Sequence, residues 1–213
     1  MVEAPSALDP AIEAQLEITV SALSREFDGI VDPDVVRSIV EQSARQLAQG
    51  RVAEWVPLLA QRYARERLRA LAAAQGELQE DALQVLFVSL LGSGRAQIGA
   101  ALLSRAAEQT VTVHSAGSQA GVAIDPNVEV AMREVGIDLS DEFTRPLSPE
   151  VLADADIVVT MGRSVGTVEI PSTARHVDWR VGDPAGAELD EVRRVRDDIE
   201  RRVAALAGEL HGG

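Results

Sequence analysis

A short apolar run that ends in a glycine-containing loop constrains this chain more than any other feature. Residues 85–97 are Val-Leu-Phe-Val-Ser-Leu-Leu-Gly-Ser-Gly-Arg-Ala-Gln, which predicts a buried strand, a tight loop and the start of a helix. Such a loop directs backbone N–H groups and a helix N-terminus at one point, where an oxyanion can bind. Ser89 ends the strand, and Arg95 adds a bidentate cation. The predicted oxyanion-binding loop comprises Leu90, Leu91, Gly92, Ser93, Gly94 and Arg95.

Strands and helices are predicted to alternate after this point. The strands are short β-branched runs, and the helices carry apolar residues at helical spacing. This alternation predicts an α/β domain with a four-stranded parallel sheet and helices on both faces, in which ligands bind beyond the carboxyl ends of the strands. The predicted strands are 85–88, 110–114, 156–160 and 175–179, and the predicted long helices are 94–107, 126–135 and 188–210.

The first third of the chain is predicted to be an all-α three-helix bundle. Asp9-Pro10 and Asp32-Pro33 are helix-start signals, and a glycine follows each helical stretch. The polar segment 77–82 is interpreted as a linker, which divides the chain into a helical domain, 1–80, and an α/β domain, 81–213. Four arginines of the third helix are expected on a solvated face: Arg62, Arg65, Arg67 and Arg69.

Composition narrows the possible functions. The chain has no cysteine, which excludes disulfides, thiolate zinc sites and thiol redox chemistry by its own side chains. Its net charge of −14 argues against nonspecific binding to nucleic acid or anionic membranes. No apolar run approaches the ~18–20 residues that span a membrane, and residues 1–10 lack the features of a signal peptide. We therefore expect a cytoplasmic protein that binds neither nucleic acid nor membrane and uses no metal and no cofactor.

Three other kinds of loop fit the sequence less well. A dinucleotide-binding loop would place a third glycine where Gln97 stands and an acidic residue where His114 ends the second strand. A Walker A loop would end in Gly-Lys-Ser or Gly-Lys-Thr, which is absent. A serine hydrolase would need Gly-x-Ser-x-Gly, also absent, and we expect structural roles for His114 and His176.

Several further stretches, in order along the chain, support one family. They are Ser-Ala-Gly-Ser at 115–118, the helix-and-loop segment 131–140, the strand segment 155–162 and Asp-Pro-Ala-Gly at 183–186. With the loop, they resemble the low-molecular-weight protein tyrosine phosphatases and the arsenate reductases of the same fold. The N-terminal helices resemble the three-helix extension that precedes some actinobacterial arsenate reductases.

The resemblance implies a role for each matching position. Position 89 is that of the cysteine nucleophile, and the loop amides would bind the oxygens of phosphate, sulfate or arsenate. Arg95 would clamp two of those oxygens, and Asp183 would be the general acid that protonates the leaving group. A homodimer formed through the N-terminal helices is also expected.

Ser89 is the main departure from the family pattern. A serine hydroxyl lacks the low pKa that makes a loop cysteine a thiolate, and no general base is evident. Leu91, Gly92 and Ala96 also differ from the usual family residues. The favoured interpretation is a pseudoenzyme that retains an oxyanion-binding loop. The alternatives are an active arsenate reductase or phosphatase using an external thiol, seen with serine in place of cysteine at position 89, and a dimerisation or interaction protein acting through the helical domain.

Overall fold

The computed structural model describes residues 10–49, 55–78, 81–107, 111–121, 123–162 and 168–211. The chain divides into two compact units, residues 1–79 and 80–213. Among the described residues, no helix is long and apolar enough to cross a membrane.

The first unit contains the three helices that the sequence predicts. They are α1, Pro10–Glu26; α2, Pro33–Ala48; and α3, Val56–Ala74. Asp32 caps α2 by accepting a hydrogen bond from the Asp34 amide at 2.8 Å, and Pro33 occupies the first turn. The helices pack pairwise around buried side chains such as Leu23, Val40 and Leu68. The other expected cap, Asp9, lies outside the described residues.

The prediction of a solvated arginine face is wrong for Arg67. This residue is only 3% exposed, and its guanidinium donates to Ser43 Oγ at 3.2 Å and to Gln42 Oε1 at 3.1 Å. Arg67 follows the buried Tyr63 by one helical turn, so both side chains lie on the stripe that faces α2. The position of Arg67 along the helix therefore buries its side chain despite the charge.

The second unit is the predicted α/β domain. Its four strands form one parallel sheet in the order β2-β1-β3-β4, which confirms the predicted fold class. The strands are β1, Leu83–Ser89; β2, Val111–Gly117; β3, Ile157–Met161; and β4, Arg175–Trp179. The helices are α4, Arg95–Ala106; α5, Pro126–Glu134; α6, Pro149–Asp154; and α7, Leu189–His211.

Strand β2 is longer than the sequence predicts. It continues to Gly117 instead of ending at position 114, because residues 115–117 extend the parallel register with residues 87–89 of β1. Three of the four residues of the Ser-Ala-Gly-Ser segment, 115–118, therefore belong to β2. Its last residue, Gly117, lies opposite Ser89, so both strands end at the level of the loop.

One face of the sheet carries the main core of this unit. Val85 and Phe87 alternate along β1 toward α4, α5 and α7, in the two-residue period of a strand. Phe87 packs on Trp179 of β4, with ring centroids 5.7 Å apart. Ile199 of α7 and Met132 of α5 are fully buried in the same core. This packing fixes the position of the end of β1, where the loop begins.

Candidate functional site

The loop between β1 and α4 turns sharply at Gly92. This residue has φ +65°, in the left-handed region that favours glycine. A Cβ at this position would lie 2.7 Å from the Gly117 nitrogen and 3.0 Å from the Ala116 carbonyl carbon. The backbone of β2 therefore leaves no room for a side chain here, and Gly92 suits the loop.

The loop is held from outside through its own carbonyl groups. Four of them accept hydrogen bonds from backbone amides of the segment after β2. Because C=O and the following N–H point in opposite directions across a trans peptide, the next amides must face away from that segment. Those amides belong to Leu90, Leu91, Gly92 and Gly94. The bonds are Ser118 N to Ser89 O, 3.0 Å; Gln119 N to Leu90 O, 2.7 Å; Gly121 N to Leu91 O, 2.7 Å; and Asp125 N to Ser93 O, 3.2 Å.

The Ser89 hydroxyl lies inside this turn. The residue is 2% exposed, and its Oγ accepts a hydrogen bond from the Gly92 amide at 3.1 Å. Both histidines predicted to be structural bond elsewhere among the described residues, His114 to Gln84 at 3.1 Å and His176 to Thr160 at 2.8 Å. The described hydrogen bonds thus place no general base on Ser89.

Arg95 opens α4 with its side chain buried beside the loop. The residue is 7% exposed, although guanidinium groups are seldom buried without a specific use. Gly162, which follows β3 at φ +90°, makes this position possible, because a Cβ there would overlap Arg95 Nη1. The absence of a side chain at Gly162 therefore leaves the space in which the Arg95 guanidinium lies.

Asp183 contacts Arg95 at the end of the loop. Its Oδ2 accepts a hydrogen bond from Arg95 Nη2 at 3.1 Å. The Asp183 side chain is 57% exposed, whereas that of Arg95 is 8% exposed. Because Asp183 lies largely in water, the ion pair is partly screened and contributes about 1 kcal/mol, so a bound dianion can compete with Asp183 for the guanidinium.

The segment that carries Asp183 is tied to the start of α5. Asp125 Oδ2 accepts a hydrogen bond from the Gly186 amide at 3.0 Å, and Asn127 Nδ2 donates to the Ala187 carbonyl at 2.9 Å. Pro184 packs on the loop itself, since a Cβ on Gly94 would lie 2.7 Å from Pro184 Cγ. The acid segment thus rests on both the loop and α5.

The remaining predicted residues differ in their exposure to solvent. Leu91 is 38% exposed at the rim of the loop, while Ser93 is 8% exposed and Ala96 is fully buried. Within the described part of the chain, no group of three or more His, Cys, Asp or Glu side chains could hold a metal ion.

Family models match both units. Residues 84–212 match the model described as low molecular weight phosphotyrosine protein phosphatase. The chain belongs to this family. Residues 16–72 match a second model, described as the N-terminal domain of protein-tyrosine-phosphatase-like proteins.

Named relatives include arsenate reductases and phosphatases. A putative arsenate reductase of Halobacterium salinarum is 36% identical over 131 residues, which are 59% of this chain and 91% of the relative. The solved thioredoxin-dependent arsenate reductase of Corynebacterium glutamicum superposes with a TM-score of 0.83 at 29% identity, covering 92% of this chain and 96% of that one.

A further solved relative is a mutant with serine in place of a cysteine. It is the arginine phosphatase YwlE as a cysteine-to-serine mutant with a phosphorylated active-site serine. Its TM-score is 0.53 at 26% identity, over 61% of this chain and 96% of that one.

Sequence reasoning missed three residues that shape the site. Gly117 and Gly162 act through the side chains they lack, which no residue-type pattern signals. Asp125 carried a usable signal, because Asp-Pro marks a helix start and an N-cap needs only one carboxylate oxygen. The second oxygen is left for another partner, which here is Gly186.

Proposed function

We propose that the loop of residues 89–95 binds an oxyanion of the phosphate, sulfate or arsenate class without the thiolate chemistry of a cysteine nucleophile. The observation that carries this proposal is the buried Arg95 beside loop amides that face away from their anchoring segment. Preorganised N–H groups with a fixed guanidinium are the chemistry that binds such anions. On this view the protein is a pseudoenzyme of the cytoplasm whose partner is a small anion.

Loss of chemistry follows from the atom at position 89. Reducing arsenate to arsenite takes two electrons. The Ser89 hydroxyl cannot supply them, and the chain has no cysteine that could supply them instead. Attack on phosphorus is also disfavoured, because the Ser89 hydroxyl keeps its proton where a loop cysteine is a thiolate. Arg95 remains in place and supports binding alone.

Calorimetry with inorganic phosphate tests the proposal. The full chain is titrated beside two variants that each remove one positive charge, Arg95→Ala and Arg180→Ala. Arg180 lies just beyond β4 and its side chain is 80% exposed, so it controls for net charge. We expect binding at millimolar concentration or tighter, weakened about tenfold to a hundredfold by Arg95→Ala and little by Arg180→Ala. No binding at millimolar phosphate, or equal loss in both variants, would overturn the proposal.

Transfer of a phosphoryl group to Ser89 is a second candidate function. The phosphorylated serine of the YwlE mutant favours it, as does the position of Ser89 Oγ inside the turn. In this reaction Ser89 Oγ forms a bond to phosphorus, the bond from phosphorus to the donor's leaving oxygen breaks, and the hydroxyl proton passes to that oxygen. Mass spectrometry after incubation with acetyl phosphate should show one added phosphoryl group in the full chain and none in Ser89→Ala. An unmodified Ser89 would exclude this candidate.

Self-association through the helical unit is the third candidate. Among the described residues, four of the six exposed large hydrophobic side chains lie on this unit. Exposed apolar side chains favour protein contacts when they cluster. Light scattering should give the mass of a dimer that falls to a monomer in the Ile18→Glu, Leu58→Glu double variant, and a monomeric full chain would contradict it. The four residues are Ile18, Val35, Trp55 and Leu58.

A further inference from the structure

We infer that Asp125 is a positioning residue that holds Asp183 against Arg95 and so limits the affinity of the loop for an anion. Asp125 divides its carboxylate between two tasks. Oδ1 caps α5 through the Asn127 amide at 2.9 Å, and Oδ2 holds the Gly186 amide at 3.0 Å. One side chain therefore joins the start of a helix to the segment that carries the acid.

The Asp125 backbone adds a third connection, to the anion-binding loop itself. Its amide donates to the Ser93 carbonyl at 3.2 Å. Asp125 thus contacts the anion loop through its main chain and the acid segment through its side chain. The distance between those two parts of the site is set at this residue, although Asp125 touches neither Arg95 nor Ser89 in the described contacts.

The acid segment needs such an anchor, because its own internal bonds are few. Asp183 Oδ1 accepts from the Ala185 amide at 3.2 Å, and the Ala187 amide donates to the Pro184 carbonyl at 3.1 Å. Neither bond reaches another element. Besides the Arg95–Asp183 pair itself, the hydrogen bonds of the acid segment that reach another element run to Asp125 and Asn127 at the start of α5. Breaking either one releases the segment and, with it, the Asp183 carboxylate.

Releasing Asp183 should strengthen anion binding. The Asp183 carboxylate accepts a hydrogen bond from the Arg95 guanidinium and offsets part of its positive charge. A phosphate dianion must compete with it. Because exposed ion pairs are weak, we expect release to tighten phosphate binding about two- to fivefold.

The test uses variants that separate the anchor from the helix cap and from charge. Asp125→Ser keeps a good N-cap but provides no second oxygen for the Gly186 amide. Asn127→Ala breaks the bond to Ala187 without changing the net charge. Asp32→Ser, at the corresponding cap of α2, is the matched control. Each is measured alone and, for Asp125→Ser, also with Asp183→Asn, as a double-mutant cycle on phosphate affinity.

We expect Asp125→Ser and Asn127→Ala to tighten phosphate binding, and Asp125→Ser to have no further effect once Asp183 is Asn. Asp32→Ser should leave the affinity unchanged. An equal effect of Asp125→Ser with and without Asp183→Asn would mean that charge alone acts, and would overturn the inference.

Hydrogen exchange gives a readout that does not need phosphate. The inference rests on the proposed anion site for its consequence, but the positioning itself is visible at the Ala185 amide, which Asp125 does not contact. In Asp125→Ser this amide should exchange faster while Val128 and Glu129, whose amides bond to the Asp125 carbonyl, stay protected. If no variant binds phosphate, the proposed function fails and this comparison alone decides. Unchanged exchange at Ala185 overturns the positioning role.

Discussion

Replacing Gly92 by alanine should destabilise the second unit through two separable effects. Adopting φ +65° costs an alanine about 1 kcal/mol. The new Cβ would also lie 2.7 Å from the backbone nitrogen of Gly117, and backbone cannot swing aside as the end of a side chain can. Overpacking of this kind adds about 1–3 kcal/mol. We therefore expect Gly92→Ala to lower the free energy of unfolding by about 2–4 kcal/mol.

Gly136 provides the matched control. It has φ +77°, but a Cβ there would meet nothing within 4 Å, so Gly136→Ala should lose only the left-handed contribution of about 1 kcal/mol. Urea unfolding is followed by the fluorescence of Trp179 in a Trp55→Phe background, so that the signal comes from the second unit alone. Equal losses in the two variants would refute the close approach of Gly92 to β2.

Three further changes have distinct expected results. Ser89→Cys should hydrolyse p-nitrophenyl phosphate where the chain with Ser89 does not, because the loop amides and Arg95 stabilise a thiolate; if both are inactive, the loop has lost more than its nucleophile. Gly162→Ala should weaken phosphate binding about tenfold in calorimetry and lower the free energy of unfolding by only about 1 kcal/mol, the cost of φ +90°, because the new Cβ displaces only the end of the Arg95 side chain; a loss as large as that of Gly92→Ala would contradict this. A side-chain hydrogen bond from Arg193 holds the pKa of Glu134 below its ordinary value, against a smaller opposing effect of desolvation. This stabilisation is complete above the unfolded pKa and disappears as pH falls through the folded value, so Glu134→Gln should flatten the acid limb of urea stability below about pH 5; an unchanged limb would contradict it.

The fold was predictable because its signals are local. Runs such as 85–88 and 156–160 are short, apolar or β-branched and bounded by loop residues, and helical stretches separate β1 from β2 and β2 from β3. The end of β2 was not predictable in this way. Residues 115–117 become strand because β1 offers partners in register, and pairing is a property of two segments.

The residues of the site likewise divide into those that the sequence predicts and those that depend on tertiary contacts. The positions of Ser89, Arg95 and Asp183 follow from spacing and resemblance, and the structure brings Arg95 and Asp183 into contact. From the sequence, Gly92 is only a residue that differs from the usual family residue. The backbone explains the difference, because φ +65° and the nearby Gly117 require a glycine in this loop. Tertiary contacts of this kind have no trace in a single sequence.

The hydrogen bonds to the loop carbonyls fix the shape of the loop independently of which side chain stands at position 89. Among the described hydrogen bonds, those that reach the loop carbonyls from outside join main-chain atoms, and any residue except proline can provide such an amide. The cradle therefore persists whatever side chain stands at position 89. Under the proposed function, a phosphatase of this architecture and an anion-binding protein differ in the atom at position 89, sulfur or oxygen.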